Sequence, residues 1–138
     1  MAYDTNNIFA KILRGEMPSI KVYEDDHTYA FMDVMPQTTG HTLVIPKVPA
    51  ENIFDLPPEA AAHLIQSTQK VAAAVKKGLN APGIMLAQLN GAPAGQTVFH
   101  IHFHIIPREE GVDMKFHARE MADMDELAAI AEKIKAAL

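Results

Sequence analysis

The sequence predicts an α+β fold: a mainly antiparallel five-stranded sheet, one long helix, and short N-terminal and C-terminal helices. Three observations predict it. Apolar residues recur with helical spacing in three stretches and alternate, or run briefly, in five others. The order of these stretches is helix, three strands, long helix, two strands, helix. With 49% hydrophobic and 21% charged residues in 138, the chain has an ordinary globular balance, enough for one compact core. No internal repeat or low-complexity linker divides it, so residues 1–138 read as a single domain.

Asn6 or Asn7 can cap a first helix that carries Ile8, Phe9 and Ile12 on one face and stops at Gly15. Lys21 to Glu24 and Thr28 to Asp33 read as strands around the turn Asp25-Asp26-His27. Pro36 and Gly40 bracket a loop, and His41 to Ile45 is a third strand stopped by Pro46. Pro57 and Pro58 suit a helix start, where a missing N–H costs little. From there Ala61, Leu64, Ile65, Thr68, Val71, Ala72, Val75 and Leu79 keep helical spacing, and Lys76 and Lys77 suit the negative end of that helix. Ile84 to Leu89 is a fourth strand, Asn90 to Gly95 a loop, and Val98 to Ile106 a fifth strand stopped by Pro107. Asp123 or Asp125 can cap a last helix with Leu127, Ile130, Ala131, Ile134 and Leu138 on one stripe.

The net charge of -5 and the lack of a long basic run argue against a general grip on nucleic acid. A small phosphorylated ligand needs only a local donor cluster and stays open. With no cysteine, disulfides, thiolate metal sites and a cysteine nucleophile are excluded. The start lacks the basic and apolar regions of a signal peptide. No apolar run approaches the roughly 20 residues that cross a bilayer. The expectation is a cytoplasmic protein with neither membrane nor nucleic-acid partner.

Three of the seven histidines stand at His100, His102 and His104, separated by Ile101 and Phe103 and followed by Ile105. Strand side chains alternate faces, so an extended chain puts the imidazoles on one side and the apolar residues on the other. Neighbouring imidazoles then start about 7 Å apart, close enough to surround one small ion. A solvent face that happens to be histidine is one reading, although Thr, Lys or Glu would serve there equally well. A metal site is the second, since imidazoles at alternate strand positions can be ligands. The third is a phosphate site with an imidazole nucleophile, which forms a covalent intermediate that water resolves. The preceding loop, with Asn90, Gly91, Gly95, Gln96 and Thr97, offers amide and hydroxyl donors and close backbone approach.

Gln96-Thr-Val-Phe-His-Ile-His-Phe-His-Ile-Ile106 resembles the signature of the histidine triad (HIT) superfamily. Residues 7–18, 30–37 and 40–47, together with Asn90-Gly91, extend the likeness over roughly residues 7 to 108, most closely to the Hint-type branch of nucleotide-binding proteins. The resemblance implies the HIT-like fold, a homodimer, and hydrolysis of purine nucleoside 5′-monophosphate derivatives (of AMP or GMP). Phosphoramidates are the leading substrate class, through a covalent nucleotidyl-histidine intermediate, with a dinucleoside polyphosphate hydrolase or a non-catalytic nucleotide sensor as the alternatives.

By that resemblance His102 is the nucleophile, His104 and His41 flank and polarise the phosphate, and His100 orients the nucleophile's ring and supports the strand. Gln96 and Thr97 face phosphate oxygens and the leaving group, and Asn90 holds a phosphate or the ribose side. Asp33 accepts from the ribose hydroxyls, while Ile8, Phe9, Val34 and Leu43 line the purine slot. Some family members carry a structural zinc held partly by a Cys-x-x-Cys. Here those positions are Asn7 and Ala10, and a further ligand position falls at about Pro49, so no metal and no cofactor are expected. His27, His63 and His117 read as turn, helix-surface and loop residues without partners. Lys47 is a candidate for attracting anions, and Met114 to Met124 for an active-site flap or a dimer contact.

Overall fold

The computed structural model describes residues 3–113 and 121–138. It has the predicted order: α1 (Ile8–Leu13), β1 (Lys21–Glu24), β2 (Thr28–Met32), β3 (Thr42–Pro46), α2 (Pro58–Gly78), β4 (Gly83–Ala87), β5 (Phe103–Arg108) and α3 (Met124–Ala136). The strands form one sheet in the order β1-β2-β3-β5-β4, and every pairing in it is antiparallel. His117 and most of the Met114 to Met124 segment lie outside the described residues.

Local chemistry accounts for the helix ends. Asn7 caps α1, its side-chain oxygen accepting from Ala10 N–H at 2.9 Å. Pro58 opens α2, and Lys76 and Lys77 stand in its last turn. Asp123 caps α3 by accepting from Asp125 N–H. Leu127, Ala131 and Ile134 of α3 are buried, whereas Leu138, predicted on the same stripe, lies beyond the helix and is exposed. Gly78 sits where α2 meets α3: a Cβ there would stand 2.5 Å from the Lys133 carbonyl oxygen, so only glycine lets the helices approach this closely. No helix is long and apolar enough to cross a membrane, among the described residues.

The sheet buries both faces. On one side Val44, Ile101 and Ile105 join Leu64, Val71 and Val75 of α2 and Leu127 and Ile134 of α3 in the larger core. On the other side Phe31, Leu43 and Ile45 pack with Phe9 of α1 in a smaller cluster. Phe31, Leu43, His104 and Ala87 stand in register across β2, β3, β5 and β4. His104 therefore emerges on the α1 face, beside the smaller cluster.

The fifth strand is shorter than the alternation predicts. It starts at Phe103, and only His104 of the triad lies within it. The sidedness persists upstream, since Ile101 and Phe103 pack with Ile105 into the larger core. The ladder stops because the backbone turns to other partners: Ile101 N–H donates to the Ala50 carbonyl at 2.9 Å.

Candidate active site

His102 is buried, its ring edge-on to Phe9 at 5.0 Å between centroids and to His104 at 4.8 Å. Its Nδ1 lies 2.7 Å from the carbonyl oxygen of His100. A carbonyl only accepts, so Nδ1 carries the proton and the lone pair of the neutral ring sits on Nε2. The expected orienting role of His100 thus falls to its backbone rather than its ring. The His100 ring donates from Nε2 to the Pro46 carbonyl at 2.8 Å and takes the Tyr3 hydroxyl on Nδ1 at 2.5 Å.

A second chain of hydrogen bonds sets His104. Gln37 N–H donates to His41 Nδ1 at 3.0 Å, so His41 carries its proton on Nε2. That nitrogen lies 2.9 Å from His104 Nδ1 and donates to it. The remaining proton of His104 is then on Nε2, ready to meet an anion. The two chains leave one lone pair, on His102, beside one donor, on His104.

Burial holds these rings neutral. It pulls His41 down to about 3 and His104 to about 4, with the neighbouring histidines adding to the effect. Burial likewise pulls His100 to about 4, against the Pro46 hydrogen bond, and lowers His102. Asp33 moves the opposite way, its carboxyl raised by burial to about 6. Its Oδ2 stands 3.5 Å from His41 Nδ1. This contact is not an ion pair, because Gln37 already occupies that nitrogen and burial opposes protonation of the ring. Asp33 Oδ1 accepts from Met35 N–H at 2.8 Å, which leaves Oδ2 as the oxygen able to accept from a ligand.

The loop residues divide. Gln96 is buried with its amide fully engaged: the oxygen accepts from Gly91 N–H, and the nitrogen donates to the carbonyls of Glu51 and Val98. In this arrangement the Gln96 side chain braces the loop. Asn90 likewise accepts from Ile53 N–H and exchanges hydrogen bonds with Gln88, tying the loop to the 51–55 turn. Thr97 is exposed and lines a cavity of about 280 Å³ with Asp4, Asn7, Ile8, Glu51, Val98 and Phe99.

The four residues expected around a purine do not share one wall. Ile8 faces that cavity and is 43% exposed. Phe9 and Leu43 are buried together beneath the triad, whereas Val34 packs against the larger core. Lys47 pairs with Glu24 at 2.8 Å, not with the site. Two further contacts have no counterpart in the sequence reading: Tyr3 on His100, and the stacking of His27 on His63, with ring centroids 3.6 Å apart.

Asp33, His41 and His104 place potential metal ligands within 4.8 Å of one another. Two of the ring nitrogens there are already spent on each other. Asn7 and Ala10, where the resemblance places thiolates in some relatives, are joined by the cap of α1, Asn7 accepting from Ala10 N–H.

A family model described as the HIT domain matches residues 14–111, most of the chain. The chain belongs to the histidine triad family. Similar proteins span most of its length. A Hit-like protein from Bartonella henselae, described as involved in cell-cycle regulation, superposes with a TM-score of 0.93 at 51% identity, covering 99% of this chain and 100% of that one. An adenosine 5′-monophosphoramidase from Candida albicans is 34% identical over 142 residues, 98% of this chain and 93% of the relative. An adenylylsulfatase from Arabidopsis thaliana is 40% identical over 103 residues, 75% of this chain and 52% of the relative.

Neutral burial of four imidazoles has a thermodynamic consequence. The unfolded chain binds protons on these rings near pH 6.5, whereas the native chain refuses them until about pH 4 at His100 and His104 and about pH 3 at His41, and burial lowers His102 in the same direction. In that window stability falls as pH falls, by up to about 1.4 kcal/mol per pH unit for each ring. Asp33 opposes this between 3.8 and about 6, where the native chain holds a proton that the unfolded chain has lost, and so offsets about one ring. Urea unfolding at pH 7 and pH 5 should show a net loss of at least about 2 kcal/mol at the lower pH. Equal stabilities would mean that the rings are not held neutral.

Proposed function

We propose that this protein hydrolyses purine nucleoside 5′-monophosphate derivatives, phosphoramidates foremost, through a covalent nucleotidyl intermediate on His102. It is a hydrolase of the histidine triad family, and two relatives carry names that denote action on adenylyl compounds. The observation that carries the reading is the fixed tautomer of His102, which aims an uncharged Nε2 lone pair away from the backbone. Attack on the α-phosphorus forms the N–P bond and breaks the bond to the leaving nitrogen, which departs as the neutral amine with a proton taken from solvent. The imidazolium so formed keeps its Nδ1 proton and is stabilised by the His100 carbonyl. His104 Nε2–H donates to a phosphoryl oxygen, and His41 holds it in that tautomer. Water then attacks phosphorus, the P–Nε2 bond breaks, and His102 returns to its neutral Nδ1–H form as the water's proton passes to solvent.

The cavity beside Thr97 bears on the leaving group. Asp4 and Glu51 place carboxylates on its wall. Such a wall repels a polyphosphate and accommodates an amine, which favours phosphoramidates over dinucleoside polyphosphates. Asp33 Oδ2 is the group suited to accept from a ribose diol. A single preparation assayed on adenosine 5′-phosphoramidate and diadenosine tetraphosphate should turn over the first faster, and His102→Ala should abolish both activities. Asp33→Ala should weaken binding roughly ten- to a hundredfold for the ribose substrate and far less for its 2′,3′-dideoxy analogue. Wild-type turnover by His102→Ala would exclude His102 as the nucleophile. An equal loss on both sugars would make Asp33 structural, and faster cleavage of the tetraphosphate would reverse the substrate preference.

The homodimer is supported by a free edge and the apolar surface beside it. β4 is an edge strand whose Leu86 is 45% exposed. On α2, Ile65 is 47% exposed at a shallow cavity with Ile53, Leu56 and Phe103. An antiparallel edge can pair with its own copy across a two-fold axis, hiding unpaired backbone groups from other chains. Light scattering should give twice the chain mass for the wild type and the single mass for Ile65→Lys. A wild-type monomer at micromolar concentration would overturn the proposal.

A further inference from the structure

We propose that Tyr3 is a positioning residue for His102, acting through the ring and backbone of His100. The inference rests on His102 being the nucleophile. Tyr3 precedes α1 by several residues and stands 97 positions from its partner in the chain, yet its hydroxyl meets His100 Nδ1 and its ring packs edge-on against the imidazole at 5.7 Å.

The direction of the hydrogen bonds is fixed by their partners. His100 Nε2 faces the Pro46 carbonyl, which only accepts, so the ring proton is on Nε2. Nδ1 of the neutral ring is then an acceptor, and the Tyr3 hydroxyl donates to it. The imidazole is held at both nitrogens, from the end of β3 on one side and from the segment before α1 on the other. The ring is 1% exposed, so without Tyr3 its Nδ1 loses a protein donor where water has little access.

What this grip secures is a backbone position. The carbonyl of His100 accepts the Nδ1 proton of His102 and so decides which nitrogen of the nucleophile carries the lone pair. His100 lies outside the β5 ladder, which begins at Phe103. Strand pairing therefore does not hold this carbonyl in place, and the side-chain anchors and the Ile101–Ala50 bond must do so. Loss of the Tyr3 anchor lets His100 relax and gives His102 access to the tautomer with its proton on Nε2, which cannot attack phosphorus.

Tyr3→Phe keeps the aromatic ring and removes the hydroxyl. Histidine ring ¹⁵N spectra should show wild-type His102 as the Nδ1–H tautomer and the variant as a mixture, with the His100 Nδ1 resonance moved away from its hydrogen-bonded position. On adenosine 5′-phosphoramidate kcat should fall about tenfold with KM within about twofold of wild type. Tyr23→Phe, which loses a hydroxyl bonded to Asp25 and not to a triad histidine, should leave both readouts unchanged. An unaltered His102 tautomer in Tyr3→Phe overturns the proposal, whether or not kcat falls. So does an unaltered kcat beside a mixed tautomer. If the wild type itself fails to turn over the substrate, the functional reading fails, while the spectra still decide whether Tyr3 governs the His102 tautomer.

Discussion

The hydrogen bond from His102 Nδ1 to the carbonyl of His100 is the constraint on which the rest of the site depends. A neutral imidazole has one proton and one lone pair, and a nucleophile must expose the second. A carbonyl is the simplest group that enforces this, because it cannot donate. In the proposed reaction it would also stabilise the cation formed when phosphorus is attacked, without removing the proton. A carboxylate in that place would bring a negative charge towards an anionic substrate. The backbone dipole does the orienting without one.

That arrangement explains why the triad sits at the beginning of a strand and only partly within it. His104 needs a rigid platform, which it has in register between Leu43 and Ala87. His102 needs the carbonyl two residues back to be free of ladder pairing, and the chain leaves the ladder before Phe103. Ile101, Phe103 and Ile105 anchor the segment from the opposite side, against α2 and α3. Phe9 closes the near side of the His102 ring from α1. The result is a dry pocket of uncharged rings, and electrostatic interactions with a phosphate strengthen as water is excluded.

Much of this was legible in the sequence, and the part that was not follows a physical pattern. Asn7 as a cap, Pro58 as a helix start and the alternation of residues 100–105 are local signals, and each matches the structure in kind. The start of β5 was misplaced because strand pairing depends on what the neighbouring chain offers. Near His100 it offers Ala50 to Ile101 and a carbonyl to a side chain instead of a ladder. Gln96 and Asn90 read as ligand donors because their amides are polar and their loop is glycine-rich. That both are spent on loop carbonyls and N–H groups, some of them 37 and 45 residues away, depends on how the loops pack. Tyr3 on His100, His27 on His63 and Lys47 on Glu24 likewise join elements that no periodicity relates.

Nε2 of His102, and no other imidazole nitrogen, is the atom proposed to take the nucleotidyl group. Rapid acid-free quenching of the reaction with adenosine 5′-phosphoramidate on ¹⁵N-histidine-labelled protein, followed by phosphorus–nitrogen coupling in the trapped adduct, tests it most directly. The expected result is one adenylyl group per chain, bonded to Nε2 of His102. An adduct on His104, on His41 or on Nδ1 of His102, or turnover with no covalent adduct in a single-turnover time course, would contradict it.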